Sequence, residues 1–130
     1  MDRLFLDANI LFSAAWRPDS RLRRLWTLPD TVIITSDYAV GETVRHLKRG
    51  EQLERLRYLL TGMEIVRAWS QISLPEGVQL PEKDRPILQG AIAAQSTHLI
   101  TGDRQDFGLY FGQVVAGIEI LLPAAYLRSK

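Results

Sequence analysis

Aspartate residues follow two of the short apolar segments of the chain, at the points where these segments end. Asp7 comes directly after the run Arg-Leu-Phe-Leu, and Asp103 follows His-Leu-Ile-Thr, with Asp106 in the same turn. Carboxylates at such positions can bind a cation or act as general acid and base. Aspartate is also common in turns because it hydrogen-bonds the local backbone, and for each residue alone this structural interpretation is favoured. The occurrence of acids after two strands shifts the balance toward function.

Asp84 stands at the head of an amphipathic segment. Leu88, Ala91 and Gln95 lie four, seven and eleven positions after it, so the carboxylate falls on the stripe that faces the core. The alternative is an N-cap, since Asp84 precedes a predicted helix with Pro86 in its first turn. The two roles are compatible, and both stay open at this point.

Glu42 has the weakest pattern of the candidate acids. On a helical wheel it points away from the stripe of Val40, Val44 and Leu47, which predicts a solvated side chain. Its place in the first turns of the helix after the second strand nevertheless brings it near the carboxyl edge of the sheet, where the other acids collect. A functional role therefore stays open for Glu42.

Acidic side chains gathered at one place need a counter-charge. Neighbouring carboxylates raise each other's pKa values, so a cluster destabilises the fold unless cations bind to it. The chain has no cysteine and only two histidines, and oxygen ligands favour Mg²⁺ or Mn²⁺ over zinc. Such ions can activate water and stabilise the leaving oxygen of a phosphodiester. The pattern therefore predicts metal-dependent hydrolysis.

Short apolar segments alternate with helical periodicity along the chain. Strands are expected at residues 3–6, 31–35, 63–66, 98–101 and 118–122. Helices are expected at residues 9–16, 20–26, 38–48, 53–60, 84–95 and 124–127, with Ser20 as an N-cap and Gly50 closing the third helix. This alternation predicts an α/β fold of three layers, with a central parallel sheet of about five strands and helices on both faces. Ligands of such sheets bind outside the carboxyl ends of the strands.

Composition excludes several classes of protein. The 130 residues fit one domain, and the absence of cysteine excludes disulfide frameworks, zinc–thiolate sites and thiol nucleophiles. With 16 basic and 15 acidic residues, the chain carries no strongly charged field. The N-terminus lacks the pattern of a signal peptide, and the apolar runs are shorter than the roughly 20 residues that cross a bilayer. We therefore expect a cytoplasmic protein without a membrane partner.

The motifs of other α/β enzymes are missing from the sequence. The turn after the first strand holds no G-x-G-x-x-G for a dinucleotide. Asn9 interrupts the D-x-D pair of a phosphatase, and no G-x-S-x-G for a serine hydrolase is present. These absences leave the acidic residues as the main chemical feature of the chain.

Four segments in order resemble the PIN-domain nucleases. They are LDAN with Asp7, the third helix with Glu42, KDRPILQGAIAA with Asp84, and HLITGDRQDF with Asp103. The closing segment FGLYFGQVVAGIEILLPAAYL resembles PIN proteins that are the toxins of toxin–antitoxin pairs. The resemblance covers nearly the whole chain. It implies a Mg²⁺- or Mn²⁺-dependent ribonuclease that acts on single-stranded RNA, with a homodimer and a cognate antitoxin as further implications.

The resemblance also implies roles for individual acids. Asp7, Asp84 and Asp103 would hold the metal ions, and Glu42 would complete the catalytic set of four acids. Asp106 falls where many relatives carry an acid but members of the toxin subgroup often carry histidine. It is therefore assigned a supporting role and not that of a direct ligand.

Two small polar residues complete the site that the resemblance implies. Asn9 and Thr101 match positions where the family carries a small polar residue. The expected role of each is to hydrogen-bond the acids and hold them in place.

Basic residues in two groups could contact RNA phosphates. Binding to phosphates releases counterions, which supplies most of the affinity that does not depend on sequence. A basic helix is, however, often simply solvated, and this interpretation stays open. The first group is Arg17, Arg21, Arg23 and Arg24, and the second is Arg45, Lys48 and Arg49, of which Arg17, Arg21, Arg24, Arg45 and Lys48 are the candidates for RNA contact.

The three tryptophans are expected to fill the core or an interface and not to stack on bases. Two of the set of Trp16, Trp26 and Trp69 fall at helical spacing among leucines, which is typical of buried positions.

The main alternative to a nuclease is a PIN-like module that has lost turnover and binds RNA or protein. The presence of all four acids favours the enzyme over this module and over a purely structural role.

Overall fold

A central sheet carries the architecture of the molecule. The computed structural model describes residues 1–67 and 71–130. The strands of these residues are β1 (Asp2–Leu6), β2 (Thr31–Ser36), β3 (Glu64–Val66), β4 (His98–Ile100), β5 (Val114–Val115) and β6 (Ile118–Leu121). Their order is β3-β2-β1-β4-β6-β5, and β5 runs antiparallel to β6 whereas the other neighbours are parallel. The predicted α/β fold is confirmed, with a mostly parallel sheet.

Helices connect these strands. The α-helices of the described residues are α1 (Ala8–Trp16), α2 (Asp37–His46), α3 (Gly50–Leu60), α4 (Arg85–Ala93), α5 (Arg104–Phe107) and α6 (Pro123–Arg128). Helical 3₁₀ turns cover Arg21–Thr27, Glu82–Asp84 and Gly108–Tyr110. Helices α1 and α3 pack against each other, whereas α4 packs on β2 and β4. Because parallel crossovers are right-handed, the reversal of direction along the sheet places helices on both of its faces.

The central strands are apolar on both faces because helices cover both. Leu4, Phe5 and Leu6 of β1 are fully buried, and Leu99 and Ile100 of β4 lie beside them without exposure. The register pairs Leu6 with Ile100, so β1 and β4 end at the same level. The residues that follow the two strands are therefore neighbours at the carboxyl edge.

The strand order reverses between β1 and β4. The chain goes from β1 to β2 and β3 on one side, and then crosses back to β4 on the other side of β1. A crevice forms at such a reversal, outside the carboxyl ends of the strands. Asp7 lies at this edge, where its backbone N–H donates to the carbonyl of Ile100 over 3.1 Å.

A 3₁₀ helix replaces the α-helix that was expected after Ser20. Ser20 caps the segment as predicted, and its Oγ accepts a hydrogen bond from Leu22 N over 3.4 Å. The segment is confined between Pro18 and Pro29, and short helical stretches often adopt the tighter 3₁₀ form. Leu25 is nevertheless buried, so the predicted apolar face is partly retained.

Gly50 begins α3, whereas it was expected to end the preceding helix. Helix α2 ends at His46, and Leu47 N donates to Thr43 O over 3.1 Å. Arg49 is the N-cap residue of α3, and its N–H donates to Gln52 Oε1 over 3.4 Å. A glycine marks a boundary between helices, but its presence does not show which helix it belongs to.

Strands β5 and β6 form a hairpin that the sequence analysis missed. Its two-residue turn, Ala116-Gly117, has φ angles of 52° and 80°. Turns of this kind need positive φ and are usually indicated by Asn-Gly or Asp-Gly. Alanine rarely adopts positive φ, so its presence at the first turn position concealed the hairpin. The sheet of the described residues consequently has six strands, where about five were expected.

The tryptophans differ from one another in burial. Trp16 is 44% exposed, so of its two predicted places it does not lie in the core, and a place in an interface stays a prediction. The buried face of α1 consists of Ile10, Leu11, Ala14 and Ala15, which leaves Trp16 on the outside. Trp26 is half-buried and donates its Nε1–H to Leu59 O over 2.9 Å. Trp69 lies outside the described residues.

Within the described ranges, no helix has the length and apolarity that crossing a membrane requires.

Candidate functional site

Asp7 is the N-cap residue of α1 and follows β1 directly. Its carboxylate accepts hydrogen bonds from Ala8 N at 2.6 Å, Thr101 Oγ1 at 2.8 Å and Asn9 Nδ2 at 3.2 Å. Burial raises the pKa of Asp7 above its usual value, while the hydrogen bonds from Thr101 and Ala8 oppose this rise and the charge of Asp103 adds to it. The carboxylate is therefore held firmly in place, although its negative charge lacks compensation.

Asn9 and Thr101 connect the ends of β1 and β4. Asn9 Oδ1 accepts a hydrogen bond from Gly102 N at 2.8 Å, and its Nδ2 lies 3.3 Å from Thr101 Oγ1. The Thr101 hydroxyl is fully buried and also accepts from Asp103 N at 3.1 Å. A Cβ atom at position 102 would lie 3.3 Å from Asn9 Oδ1, so the loop approaches this side chain closely. These two side chains fix the position of Asp7 relative to the loop after β4.

Asp103 begins the short helix α5. Its Oδ1 accepts a hydrogen bond from Asp106 N at 2.9 Å, which is an N-cap contact. The structural interpretation therefore holds for both Asp103 and Asp7. Because each carboxylate still faces the same cavity, this structural role does not exclude a chemical one.

Asp84 differs from these two acids. It occupies the N-cap position of α4, but its side chain makes no capping hydrogen bond, so the N-cap alternative is not supported for the carboxylate. The residue is only 7% exposed, and among the described residues its buried Oδ2 has no hydrogen-bond partner. Burial raises the pKa of Asp84 to about 7, and the neighbouring carboxyl group of Asp106 adds to the rise. A buried carboxylate oxygen without a partner is rare and suits a cation ligand.

Three carboxylates come together at this point. Asp84, Asp103 and Asp106 each offer one oxygen, and these oxygens lie within 4.8 Å of one another. The N-cap contact in α5 brings Asp106 back toward Asp103. The structure thus places Asp106 beside two of the acids to which the resemblance assigns the metal ions, closer than its expected supporting role requires.

Lys83 is a residue of the site that the sequence analysis did not single out. Its Nζ lies 2.9 Å from Asp106 Oδ2 and 3.6 Å from Asp84 Oδ2. The hydrogen bond with Asp106 raises the pKa of Lys83, and the charge of Asp84 adds to this effect. The phenol of Tyr38 donates to Lys83 O over 2.7 Å and so fixes the backbone at this position. The only indication in the sequence was that Lys83 directly precedes Asp84.

Glu42 faces the cavity from α2. The helix buries Ala39 and Thr43, and it leaves Val44 at 44% exposure, so the predicted apolar stripe is wrong at Val44. Because the helix is rotated in this way, Glu42 is less exposed than the helical wheel indicated. Its Oε1 forms an ion pair with Arg45 Nη1 at 3.0 Å.

A cavity of about 310 Å³ brings the candidate acids together. The four acids that the sequence analysis selected all line it, although they come from distant segments of the chain. Asp106 is absent from the lining, although its carboxylate lies within 4.8 Å of those of Asp84 and Asp103. The lining consists of Asp7, Ala8, Asn9, Phe12, Tyr38, Glu42, Thr43, His46, Lys83, Asp84, Ile87 and Asp103.

A second groove, of about 410 Å³, lies next to this cavity. Phe12 of α1 lines both, so the groove and the cavity adjoin at this residue. Trp16, Arg17 and Arg21 line the second groove together with Asp19, and the rings of Phe12 and Trp16 are 5.1 Å apart. The groove therefore combines exposed aromatic surface with two guanidinium groups.

The other basic candidates lie elsewhere. Arg24 is exposed one 3₁₀ turn beyond Arg21, and Lys48 is exposed after α2. Arg45 is paired with Glu42. Arg23, which belonged to the first basic group, instead donates its Nε–H to Ala14 O over 3.4 Å.

Two solved structures have a fold similar to that of this chain. One is VapBC2 from Rickettsia felis bound to a DNA fragment from their promoter, with a TM-score of 0.63, 21% identity, and coverage of 91% of this chain and 96% of that one. The chain has a PIN-like fold. The second is VapC20 from Mycobacterium tuberculosis, a toxin that cleaves the sarcin-ricin loop, with a TM-score of 0.56, 16% identity, and coverage of 77% of this chain and 91% of that one. No protein-family model and no curated protein matches the chain.

The PIN-like fold confirms the predicted family resemblance at the level of architecture. At these low identities the comparison concerns the fold alone. The chemistry of the site must therefore be argued from its own side chains.

Proposed function

We propose that this chain is a metal-dependent endoribonuclease that hydrolyses phosphodiester bonds of single-stranded RNA, as the toxin of a toxin–antitoxin pair. One observation carries the proposal. Four acids from distant segments line one cavity at the reversal of strand order, and the buried Oδ2 of Asp84 has no hydrogen-bond partner among the described residues. Acids whose pKa values are shifted by burial and by neighbouring charges occur more often at functional sites than elsewhere.

The donor atoms of the site fit a hard divalent cation. The oxygens of Asp84, Asp103 and Asp106 lie within reach of a single ion, and carboxylates without thiolates suit Mg²⁺ or Mn²⁺. We assign Asp7, Asp84 and Asp103 as ligands, with Asp106 beside them. When bound, such an ion supplies a Lewis acid and activates water for attack on phosphorus.

The residues of the chain provide the positions for this chemistry. Asn9 and Thr101 hold the Asp7 carboxylate by hydrogen bonds, so that it needs no rearrangement to bind a cation. Glu42 lines the same cavity from α2 and offers a carboxylate that can accept a proton. The apolar side chains of Phe12 and Ile87 limit the water in the cavity, which strengthens its electrostatic interactions.

The groove along α1 supports an RNA strand as the substrate. Proteins bind single-stranded nucleic acids with cationic grooves and with aromatic rings on which bases stack. Trp16, Phe12, Arg17 and Arg21 provide both features. From Asp7 to Trp16 the distance along the helix is about 13 Å, so that one strand can occupy both the cavity and the groove.

The biological part of the proposal rests on similarity of fold. VapC20 is a toxin that cleaves the sarcin-ricin loop, and VapBC2 is seen on a fragment of promoter DNA. We extend the proposal to a cognate antitoxin, a homodimer and action in the cytoplasm. Co-expression with a protein encoded beside this chain would test the first of these.

Lys83 is the observation that favours a second function. The single ammonium group of Lys83 already offsets part of the charge of Asp84 and Asp106, as expected if a cation of the protein had permanently replaced the metal. The chain would then be a PIN-like module that binds RNA or protein without cleaving it.

Cleavage of a labelled single-stranded RNA distinguishes the two functions. The nuclease predicts cleavage with Mg²⁺ or Mn²⁺, none with a chelator, and little on duplex RNA of the same sequence. Asp103→Asn serves as the matched variant, because asparagine keeps the N-cap acceptor but removes the charge. Metal-independent binding of RNA without cleavage would instead favour the binding module.

A further inference from the structure

Lys83 occupies the acidic site in an unusual way. Within the described residues, its ammonium is the cationic group within 4 Å of Asp84 and Asp106. Its side chain is 69% exposed, and no contact other than these two carboxylates holds it among the described residues. The two carboxylates are largely buried, at 10% and 14% side-chain exposure, whereas the ammonium reaches solvent. The ammonium can therefore move into water without unfolding the site, provided that another cation takes its place beside the acids.

The contact with Asp84 is also imperfect. Lys83 Nζ is 3.6 Å from Asp84 Oδ2, and this buried oxygen has no hydrogen-bond partner in the part of the chain that the structure describes. An ammonium balances charge at this distance but does not satisfy the oxygen. A divalent ion approaches carboxylate oxygens to about 2.1 Å and would satisfy it.

We propose that Lys83 is an exchangeable counter-cation, which offsets part of the charge of Asp84 and Asp106 until a divalent metal replaces it, and which then binds a phosphate of the RNA. This inference rests on the proposed function and adds a regulatory step to it. Because one ammonium cannot serve the carboxylates and the phosphate together, metal and RNA must favour each other's binding.

The local structure permits this exchange. The hydrogen bond from Tyr38 to Lys83 O anchors the backbone, so only the flexible side chain needs to move. The cavity that Lys83 lines is the one in which the scissile phosphate would lie. Lysine binds phosphate as a mobile point charge, which suits a group that changes partner.

The replacement of Lys83 by the metal is tested by measuring the affinity for Mn²⁺. The electron paramagnetic resonance signal of the free ion reports how much Mn²⁺ is bound. Lys83→Met keeps the length of the side chain but removes its charge. We expect it to bind Mn²⁺ at least fivefold more tightly than the wild type, a gain of about 1 kcal/mol. Lys83→Arg, which keeps the charge, should behave like the wild type. Arg57→Met removes one positive charge from the exposed face of α3 and should leave the Mn²⁺ affinity unchanged.

The binding of Lys83 to an RNA phosphate is tested with a short RNA whose linkages are hydrolysis-resistant methylene phosphonates, which keep the charge of the phosphate. This RNA should increase the Mn²⁺ affinity of the wild type, and by reciprocity Mn²⁺ should increase the affinity for the RNA to the same extent. In Lys83→Met the increase should be smaller by about fivefold, a coupling of about 1 kcal/mol. Thermal melting of each variant shows that the fold is intact.

Each other outcome has a separate meaning. Equal Mn²⁺ affinity of wild type and Lys83→Met, or an equal effect of the RNA on both, overturns the exchange and leaves the nuclease standing. Binding of Mn²⁺ by Lys83→Met alone shows that the lysine is a permanent replacement of the metal and favours the binding module. If none of the proteins binds Mn²⁺, the proposed nuclease itself is wrong.

Discussion

The two ends of strand β1 carry the same residue type in opposite electrostatic conditions. At the amino end, Asp2 Oδ2 accepts a hydrogen bond from Tyr126 Oη at 2.6 Å and forms an ion pair with Lys130 Nζ at 2.7 Å. The contacts with Lys130 and Tyr126 lower the pKa of Asp2. At the carboxyl end, burial raises the pKa of Asp7.

The difference separates a structural acid from a candidate functional one. At the amino end, the chain itself provides the partners of the Asp2 carboxylate. These partners are Tyr126 and Lys130, and Lys130 Nζ also lies 5.0 Å from the centroid of the Tyr126 ring. The carboxyl edge gathers acids and leaves a buried oxygen of Asp84 without a hydrogen bond among the described residues. A fold can retain a buried oxygen without a hydrogen bond at a place where a ligand binds to that oxygen.

The largest difference between the two ends of β1 is expected in the rate of RNA cleavage when the aspartate at each end is replaced with asparagine. Asp7→Asn should lower the rate of RNA cleavage by more than about a hundredfold, the upper end of the loss seen when a partner of a metal ligand is removed. Asp2→Asn should leave the rate within about twofold of the wild type, because it changes only the far edge of the sheet. Initial rates at saturating Mg²⁺ measure both. Wild-type cleavage by Asp7→Asn would contradict the assignment of this residue to the metal.

The same two variants should change stability in opposite directions. Asp2→Asn removes charge-assisted hydrogen bonds and should lower the free energy of unfolding by about 1 kcal/mol, which corresponds to a fall of several degrees in Tm. Asp7→Asn removes a disfavoured buried charge and should raise Tm at pH 7 in the presence of a chelator. Thermal melting measures both changes. A fall in Tm for both variants would show that the hydrogen bonds of Asp7 outweigh its desolvation.

The dependence of stability on pH extends the comparison to Asp84. A carboxyl group with a raised pKa binds more protons in the folded state, so its contribution to stability is complete below about pH 4 and is lost as the pH rises through about 7. The chelated protein should therefore lose stability over this range, on the order of 2 kcal/mol after allowance for screening. The lowered pKa of Asp2 acts in the opposite sense, because its contribution is lost as the pH falls below the usual value of 3.8.

Two controls assign the pH effect to the cluster. Saturating Mg²⁺ should remove the decline between pH 4 and 7, since the ion binds the ionised carboxylates. Asp84→Asn should reduce it without metal and leave the part that the raised pKa of Asp7 contributes. Chemical denaturation at a series of pH values measures the slope, and an unchanged slope in Asp84→Asn would assign the decline to other groups.

Most of the acidic site followed from rules of topology and periodicity. Asp7 and Asp103 were predictable because the carboxyl ends of parallel strands meet at one edge, and Asp84 was predictable from the stripe of α4. These rules depend only on spacing along the chain. The predictions of these acids were therefore not affected by errors elsewhere, such as the assignment of Gly50 to the preceding helix and the missed hairpin at Ala116.

The contact of Lys83 with Asp106 could not be predicted in the same way. It depends on how the 3₁₀ turn Glu82–Asp84 is placed against α5, and this placement follows from packing of the whole chain. The exposure of Trp16 could not be predicted for a related reason. Leucine-like spacing predicts one buried face for α1, but the width of that face is set by the helices that pack on it.

The smallest expected effect concerns the groove beside the acidic cavity. Arg21→Ala combined with Arg24→Ala removes two exposed guanidinium groups from one face of the 3₁₀ helix Arg21–Thr27. If both contact phosphates of a single strand, the slope of log K against log salt should decrease by up to about 1.4 in magnitude. Arg57→Ala combined with Arg128→Ala removes the same charge from α3 and α6 and should leave the slope nearly unchanged. An equal change in both double variants would mean that net charge alone attracts the RNA, and that the strand does not follow α1 away from the acids.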